Sequence, residues 1–516
     1  MPLPMRMMPR AMTKVLPAPI GGLNSRDALA DMPPNDAAKL DNWFPTPTSV
    51  NLRNGCLATA TGLPGMISGL FAYNGIAGSN QLFAAAGGKI YNVSAGGPVG
   101  APVVTGNASD QWQKVAFGST AANGQFLYLV NGVDSPWLYN GSTWQQVTAS
   151  STPVAITGVT PSSFIQGCAF KQRLYFVIKG STQCAYLPVN SVGGAAGILD
   201  FGGFFRLGGY LQAVQSWTVD NTAGLNEFFV AISSNGEVVV FEGYDPANAA
   251  NWSEQAYFRI GRPIGYRCLE KFGSDLIVIC ADGLFPLKAA MLTDRSQQGQ
   301  SVTAKIQSLI KGDVQSYAGN FGWQVVLYPI GNKVLINVPA VAGIQSYQYV
   351  MNTLTGAWCR FTGWNAFCFE LFNDGLYFGG NGAVYQCDAG MSDNGTAITA
   401  DAIQAFNFFD APGQQKLFTA LKPVMLATNG SNPSCSINVD YDVTTPAVAT
   451  VYSPVNNTLW GSPWGSPWSS PSGTLRQWRG ATGVGDAGAV HVGLSVAGAI
   501  CQWQATEVAY QIGGPL

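Results

Sequence analysis

Apolar and polar positions alternate along the middle of the chain in short runs broken by glycine. From Tyr347 to Asp388 the pattern reads Tyr-Gln-Tyr-Val-Met-Asn, a turn at Thr353–Gly356, and Ala-Trp-Cys-Arg-Phe. It continues through Ala366–Phe372, Asp374-Gly375, Leu376–Phe378, Asn381-Gly382 and Ala383–Cys387. Period-two runs separated by Asp-Gly and Asn-Gly predict antiparallel hairpins, because those dipeptides accept the positive φ of tight turns. Four strands in about forty residues is the size of one propeller blade. The same unit recurs upstream, most clearly at Phe228–Ile232, Asn235-Gly236 and Glu237–Phe241, and at Asp275–Cys280, Asp282-Gly283 and Leu284–Leu287. Residues 61–392 are therefore expected to form a β-propeller in an all-β chain. Roughly 330 residues at roughly forty to fifty per blade allow six or seven blades, and the long insertions favour six.

Three stretches depart from this pattern. Ser301 to Tyr317 places Val302, Ile306, Leu309 and Ile310 at helical spacing. A helix over 301–311 is expected, capped by Ser301, ended at Gly312, and laid across the propeller. Residues 1–60 read as a Pro-punctuated extended arm with Leu23, Leu40, Trp43 and Phe44 as apolar anchors and Arg26 beside them. One helical turn over Asp36–Leu40 fits its centre. Such an arm must lie against something, either its own subunit or, as an assembly strap, a neighbour. Residues 393–516 carry longer strand patterns and predict a separate C-terminal β platform. Within it, Trp460-Gly-Ser-Pro-Trp464-Gly-Ser-Pro-Trp468 reads as a loop, because its prolines prevent regular pairing. Exposed tryptophan is costly, so Trp460, Trp464 and Trp468 are candidates for a channel constriction or a partner contact.

Composition narrows the function. Charged residues are 10% of the chain, glycine numbers 62 and aromatics reach 12%, where a typical charged fraction is about 25%. Little charge suggests that much of the surface is covered by other subunits. A net charge of −2, with basic residues spread thinly, gives no electrostatic grip on nucleic acid or membrane. Ten cysteines without a Cys-x-x-Cys pair read as buried thiols. Met1 to Lys14 has no continuous apolar core, so neither a signal peptide nor a membrane span is expected there, and synthesis is expected in a reducing compartment.

Candidate chemistry is sparse. The single histidine, His491, rules out a multi-His metal site and is expected to point outward from a strand. Gly483-Val484-Gly485-Asp486-Ala487-Gly488 matches a dinucleotide fingerprint literally, but a strand pattern follows it where a helix N-terminus is required. Asp440 and Asp442 flank Tyr441 as a weak calcium candidate. No cofactor, no metal and no enzymatic activity are expected.

Four segments resemble one known family. They are Gly21-Gly22-Leu23-Asn24-Ser25-Arg26-Asp27 with Leu40-Asp41-Asn42-Trp43-Phe44-Pro45; Tyr328-Pro329 with Ile336-Asn337-Val338-Pro339; Trp358-Cys359-Arg360-Phe361-Thr362-Gly363-Trp364; and Val508-Ala509-Tyr510-Gln511-Ile512-Gly513-Gly514. Together they are similar to the tail nozzle of short-tailed bacteriophages, also called tail tubular protein B or packaged-DNA stabilisation protein. The resemblance implies a virion protein of the short non-contractile tail. It would form a homohexameric ring below portal and adaptor, retain packaged double-stranded DNA, and let it pass without sequence-specific binding. Its expected partners are the tail adaptor and tail fibres or spikes. The competing expectation is a propeller that binds a host glycan or receptor from the tail periphery.

Overall fold

A computed structural model describes residues 11–120, 124–221, 224–292, 301–428, 430–446, 449–453 and 472–515. Its centre is a ring of antiparallel sheets, one per blade. Blade 1 holds Gly69–Tyr73, Gln81–Ala86 and Lys89–Asn92, and blade 2 Gln113–Ser119, Gly124–Val130, Trp137–Tyr139 and Trp144–Gln146. Blade 3 holds Phe164–Phe170, Arg173–Ile178, Gln183–Tyr186 and Gly197–Asp200, and blade 4 Leu211–Asn221, Gly224–Ser233, Glu237–Gly243 and Trp252–Arg259. Blade 5 is Leu269–Phe272, Asp275–Cys280 and Gly283–Pro286; blade 6 is Gln324–Tyr328, Lys333–Val341, Gln345–Asn352 and Trp358–Phe361. Blade 7 is Cys368–Phe372, Gly375–Gly379 and Asn381–Cys387, completed by Cys56–Met66 from the beginning of the chain. The first strand of each blade packs on the first strand of the next, and blade 7 returns to blade 1.

The propeller thus has seven blades, not six. The stretch Tyr347–Asp388, expected to be one blade, is divided between two: its first two strands belong to blade 6 and its last three to blade 7. The fourth strand of the last blade comes from residues some three hundred positions away, where no length arithmetic along 61–392 could find it.

Each blade is covered on both faces, so its inner strands are apolar at successive positions. Val238, Val239, Val240 and Phe241 are all at most 2% exposed. The core lies in layers between blades, such as Phe71, Phe83, Trp112 and Leu129 between blades 1 and 2. Two glutamines tie neighbouring blades as a peptide unit would. The Gln166 amide donates to Val214 O (2.9 Å) and accepts from Val214 N (3.0 Å). Gln324 does the same with Phe369, at 2.9 Å in both directions. At the Asn235-Gly236 turn, Gly236 has φ +83°, and an added Cβ would lie 2.4 Å from Ile260 O.

The arm lies on its own chain. Met12–Pro17 pairs with Cys501–Pro515, and Val50–Leu52 pairs with the same long strand. Asp36–Asp41 is a strand, not a helical turn: it lies antiparallel to Ile398–Gln404 and meets blade 6 in parallel at Asp41 and Arg360. Its extended backbone pairs with strands on both edges, which a helical turn cannot do, and Ala37 and Leu40 are fully buried there. One ten-stranded sheet therefore runs from blade 6 through the arm into Ile398–Gln404, Gly488–Val496, Ser434–Val439 and Thr450–Val451. A second sheet, built on Gln414–Thr428 and Cys501–Pro515, faces it.

Among the described residues, two α-helices interrupt the strands. Helix α1 (Leu287–Leu292) had no counterpart in the periodicity. Helix α2 (Gln307–Tyr317) follows a 3-10 turn at Ala304–Ile306 and runs through Gly312. It starts later than expected: the Ser301 hydroxyl accepts the Thr303 amide (3.2 Å) and donates to Leu284 O (3.1 Å), but the turn it opens is 3-10 through Ile306, and the α-helix begins only at Gln307. Ile306 and Ile310 are fully buried, and Val302 and Leu309 pack against the same core.

Candidate functional site

Residues 21–27, 40–45 and 358–364, three of the stretches that carry the family resemblance, meet where arm, blade 6 and the C-terminal sheets join. At the centre is Arg53, whose side chain is 0% exposed. Its Nε donates to Asn42 Oδ1 (2.8 Å), Nη1 to Asp393 Oδ1 (2.8 Å) and Asn54 O (2.9 Å), and Nη2 to Asp393 Oδ2 (2.6 Å) and Thr362 O (2.7 Å). All five guanidinium N–H groups are used, in the planar fork that lysine cannot reproduce. The same guanidinium sits 4.9 Å from the Trp364 ring centroid. Asn42, held at φ 59°, donates to Thr362 Oγ1 (2.8 Å) and Thr399 O (2.7 Å). Beside it, Arg360 grips Asp41 in two bonds of 2.7 and 2.6 Å, and this hydrogen bonding lifts the guanidinium above its ordinary pKa.

The Gly21–Asp27 motif forms a second clamp. Lys305 donates to Gly21 O (3.0 Å) and to both Asp36 oxygens (2.8 and 3.0 Å). The Asn24 side chain donates to Asp36 and Asp27 and accepts from the Arg26 and Asp27 amides. Gly22 has φ +84°, and a Cβ there would stand 2.6 Å from the Trp358 backbone. That close approach explains glycine at this position.

The named arm residues take different places. Leu23, Leu40 and Trp43 are buried, and Trp43 meets Trp503 edge-on at 6.2 Å. Phe44 is half-buried, edge-on to Phe361 at 6.2 Å and beneath Lys333 Nζ at 5.1 Å. Arg26 is exposed and pairs with Asp27, whose carboxyl is held at about 2 first by that hydrogen bond and then by Asn24. The arm anchors therefore serve the fold of their own subunit. Trp460, Trp464 and Trp468 lie outside the described residues.

Blades that are not neighbours meet across the propeller axis. Lys114 of blade 2 pairs with Glu370 of blade 7, and Arg267 at the head of blade 5 donates to Ser68 O (2.9 Å), Trp112 O (3.0 Å) and Gln113 Oε1 (3.2 Å). Glu270 lies in this group, and burial pushes its carboxyl up to about 7. Charges on the innermost strands left no mark in the sequence that separates them from surface residues.

His491 is not outward-facing; it is 4% exposed on a central strand covered on both faces. Its Nε2 lies 2.5 Å from Asp401 Oδ1, its Nδ1 3.1 Å from Asn438 Oδ1, and Lys39 from the arm donates to Asp401 at 2.5 Å. Burial alone would raise the Asp401 carboxyl, but the hydrogen bonds from His491 and Lys39 hold it at about 2. Asp440 accepts the amides of Asp486 (2.7 Å) and Ala487 (3.2 Å), and Asp442 accepts that of Thr444 (2.8 Å). Both carboxylates thus close turns. The Gly483–Gly488 segment is the link that carries the chain from Arg479–Gly485 in the second sheet to Gly488–Val496 in the ten-stranded sheet. All ten cysteines are buried free thiols; burial, ahead of Asp393, pushes Cys56 up to about 12. Among the described residues no three His, Cys, Asp or Glu side chains gather as a metal site.

Neither a protein-family model nor a curated protein sequence matches the chain. Among solved structures, the chain is similar to YCF48 from Cyanidioschyzon merolae over 67% of its own length and 97% of that chain, at 10% identity and a TM-score of 0.33. It is similar to BBS1N, solved in complex with ARL6DN, over 65% of its length and 96% of that chain, at 9% identity and a TM-score of 0.38. Likeness at this level decides nothing about function, and the blade count stands on the ring of sheets itself.

Proposed function

We propose that the chain is a structural subunit of a short non-contractile phage tail, the nozzle ring through which packaged double-stranded DNA leaves. One observation carries this reading. Residues 21–27, 40–45 and 358–364, by which the sequence resembles nozzle proteins, are far apart in the chain yet converge on the Arg53, Asp41 and Lys305 contacts. Residues that act together in one junction are what a shared architecture requires. The continuous ten-stranded sheet supports it further, since it couples propeller and platform into one stiff body suited to a conduit wall.

The charge distribution agrees. Arg53, Arg267, Arg360, Lys305, Lys333 and Lys416 are all engaged inside the chain. These six of the 26 basic residues are thereby withdrawn from phosphates, whose binding strengthens with each contact. Ile76, Ile330, Ile344 and Leu354 are 65%, 63%, 69% and 68% exposed, which supports apolar contact with other subunits. The reading includes a homohexamer on the tail adaptor, with fibres or spikes as further neighbours and no enzymatic role. The test is cryo-electron microscopy of the recombinant chain with its adaptor, together with antibody labelling of intact particles. A six-fold ring and label on the tail axis are expected. Label confined to the tail periphery would overturn the nozzle assignment.

A further inference from the structure

A cleft of about 530 Å3 opens beside the Arg53 hub, within the range in which small-molecule sites fall. Blade 7, the Ile344 turn and the segment 392–399 form its walls. Tyr385 lines one wall and is half-buried. It ends a stack of rings: Trp364 and Phe378 lie 5.9 Å apart at 24°, and Phe378 and Tyr385 lie 4.9 Å apart at 15°. Packing from behind by two rings and the Arg53 guanidinium holds the tyrosine face in place.

The rim carries amides. Asn365, Asn381 and Asn394 are exposed at the cleft, and among the described residues their side-chain nitrogens have no partner. Asn394 Oδ1 accepts the Ala58 amide (3.2 Å), and Asn365 Oδ1 accepts that of Ser346 (3.4 Å), which leaves the NH2 edges to a ligand. The carboxylate lining the cleft, Asp393, is already neutralised by Arg53. A phosphate would find no cation here, and an ammonium no free anion.

An aromatic wall, several amide donors and no unpaired charge match one ligand chemistry: an uncharged ring bearing hydroxyls on its edge and C–H groups on its face. We propose that this cleft binds an uncharged pyranose, either free or as the terminal residue of a polysaccharide. The proposal goes beyond the nozzle reading and does not depend on it.

Saturation-transfer NMR on the full chain tests it, with D-glucose, D-galactose, D-mannose, N-acetylglucosamine and L-rhamnose each as probe. A single ring with so few contacts is expected to bind at about 1 mM. Tyr385→Val should weaken binding at least tenfold, and Tyr385→Phe, which keeps the ring, should retain it. Asn365→Ala with Asn381→Ala should also remove binding, with an unchanged circular-dichroism spectrum showing that the fold tolerates loss of the Asn365 bond to the Ser346 amide. A purified oligosaccharide that shows transfer only to its terminal ring would assign the site to polysaccharide, whereas binding of the monosaccharide alone would assign it to free sugar. No transfer from any of the five sugars overturns the proposal, as does transfer that survives Tyr385→Val and the double variant. Because the measurement needs no tail assembly, its failure leaves the nozzle reading standing, and failure of the imaging test leaves this one standing.

Discussion

Replacing Arg53 by methionine should loosen the junction more than any other single change in the arm. Methionine fills similar space but leaves Asp393, Thr362 O and Asn54 O without their donors. Removing one partner of a buried pair costs about 3–5 kcal/mol. The Asp393 side chain is 13% exposed toward the cleft, so water recovers part of that loss and the low end applies, about 3 kcal/mol. The arm strand should then open more often. Under conditions where exchange follows the opening equilibrium, amides of residues 36–45 should exchange about 150-fold faster. Hydrogen-exchange mass spectrometry reads this locally, without assuming that a chain of this size unfolds in one step. Arg53→Lys should recover only part of the protection, because a point charge cannot serve Asn42, Thr362 and Asp393 together. Asp393→Asn should cost less, about 1–2 kcal/mol, since it leaves hydrogen-bonding atoms in place. An Arg53→Met chain whose arm exchanges within threefold of the parent would refute the reasoning, and so would full rescue by lysine.

Other consequences can be measured directly. The Glu270 carboxyl is raised from 4.5 to about 7, so the folded state is favoured while it stays protonated and that advantage is lost as pH rises through about 7. Discounted for its partial contact with solvent, Glu270→Gln should stabilise the chain by about 1–2 kcal/mol at pH 8.5 and by little at pH 4.5. Equal urea midpoint shifts at both pH values would contradict this. Deleting residues 1–45 removes strands from both large sheets, together with Trp43, so insoluble or non-native protein is expected; a native near-ultraviolet spectrum would argue against the woven arm. Changing Trp460, Trp464 and Trp468 together to serine should yield particles that leak DNA if the loop constricts the channel, or that lack a tail component if it holds a partner. Unchanged particles would remove both roles.

Local signals in the sequence were enough for the blade hairpins and the buried face of α2. Period-two alternation and Asn-Gly or Asp-Gly turns act over a few residues, and nothing distant outweighs them at Glu237–Gly243 or Asp275–Cys280. Ile306 and Ile310 were identifiable as core for the same reason. The blade count was not, because blade 7 takes its last strand from Cys56–Met66. Nor could local preference recognise Asp36–Asp41 as a strand, since its partners are Ile398–Gln404 and Arg360. His491 alternates like an outward residue, and only the Lys39–Asp401–Asn438 line around it makes burial affordable. The Arg53 hub joins residues 340 positions apart. Pairings at that range depend on ring closure and sheet order, which arise when the whole chain packs and leave no periodic trace in any one segment.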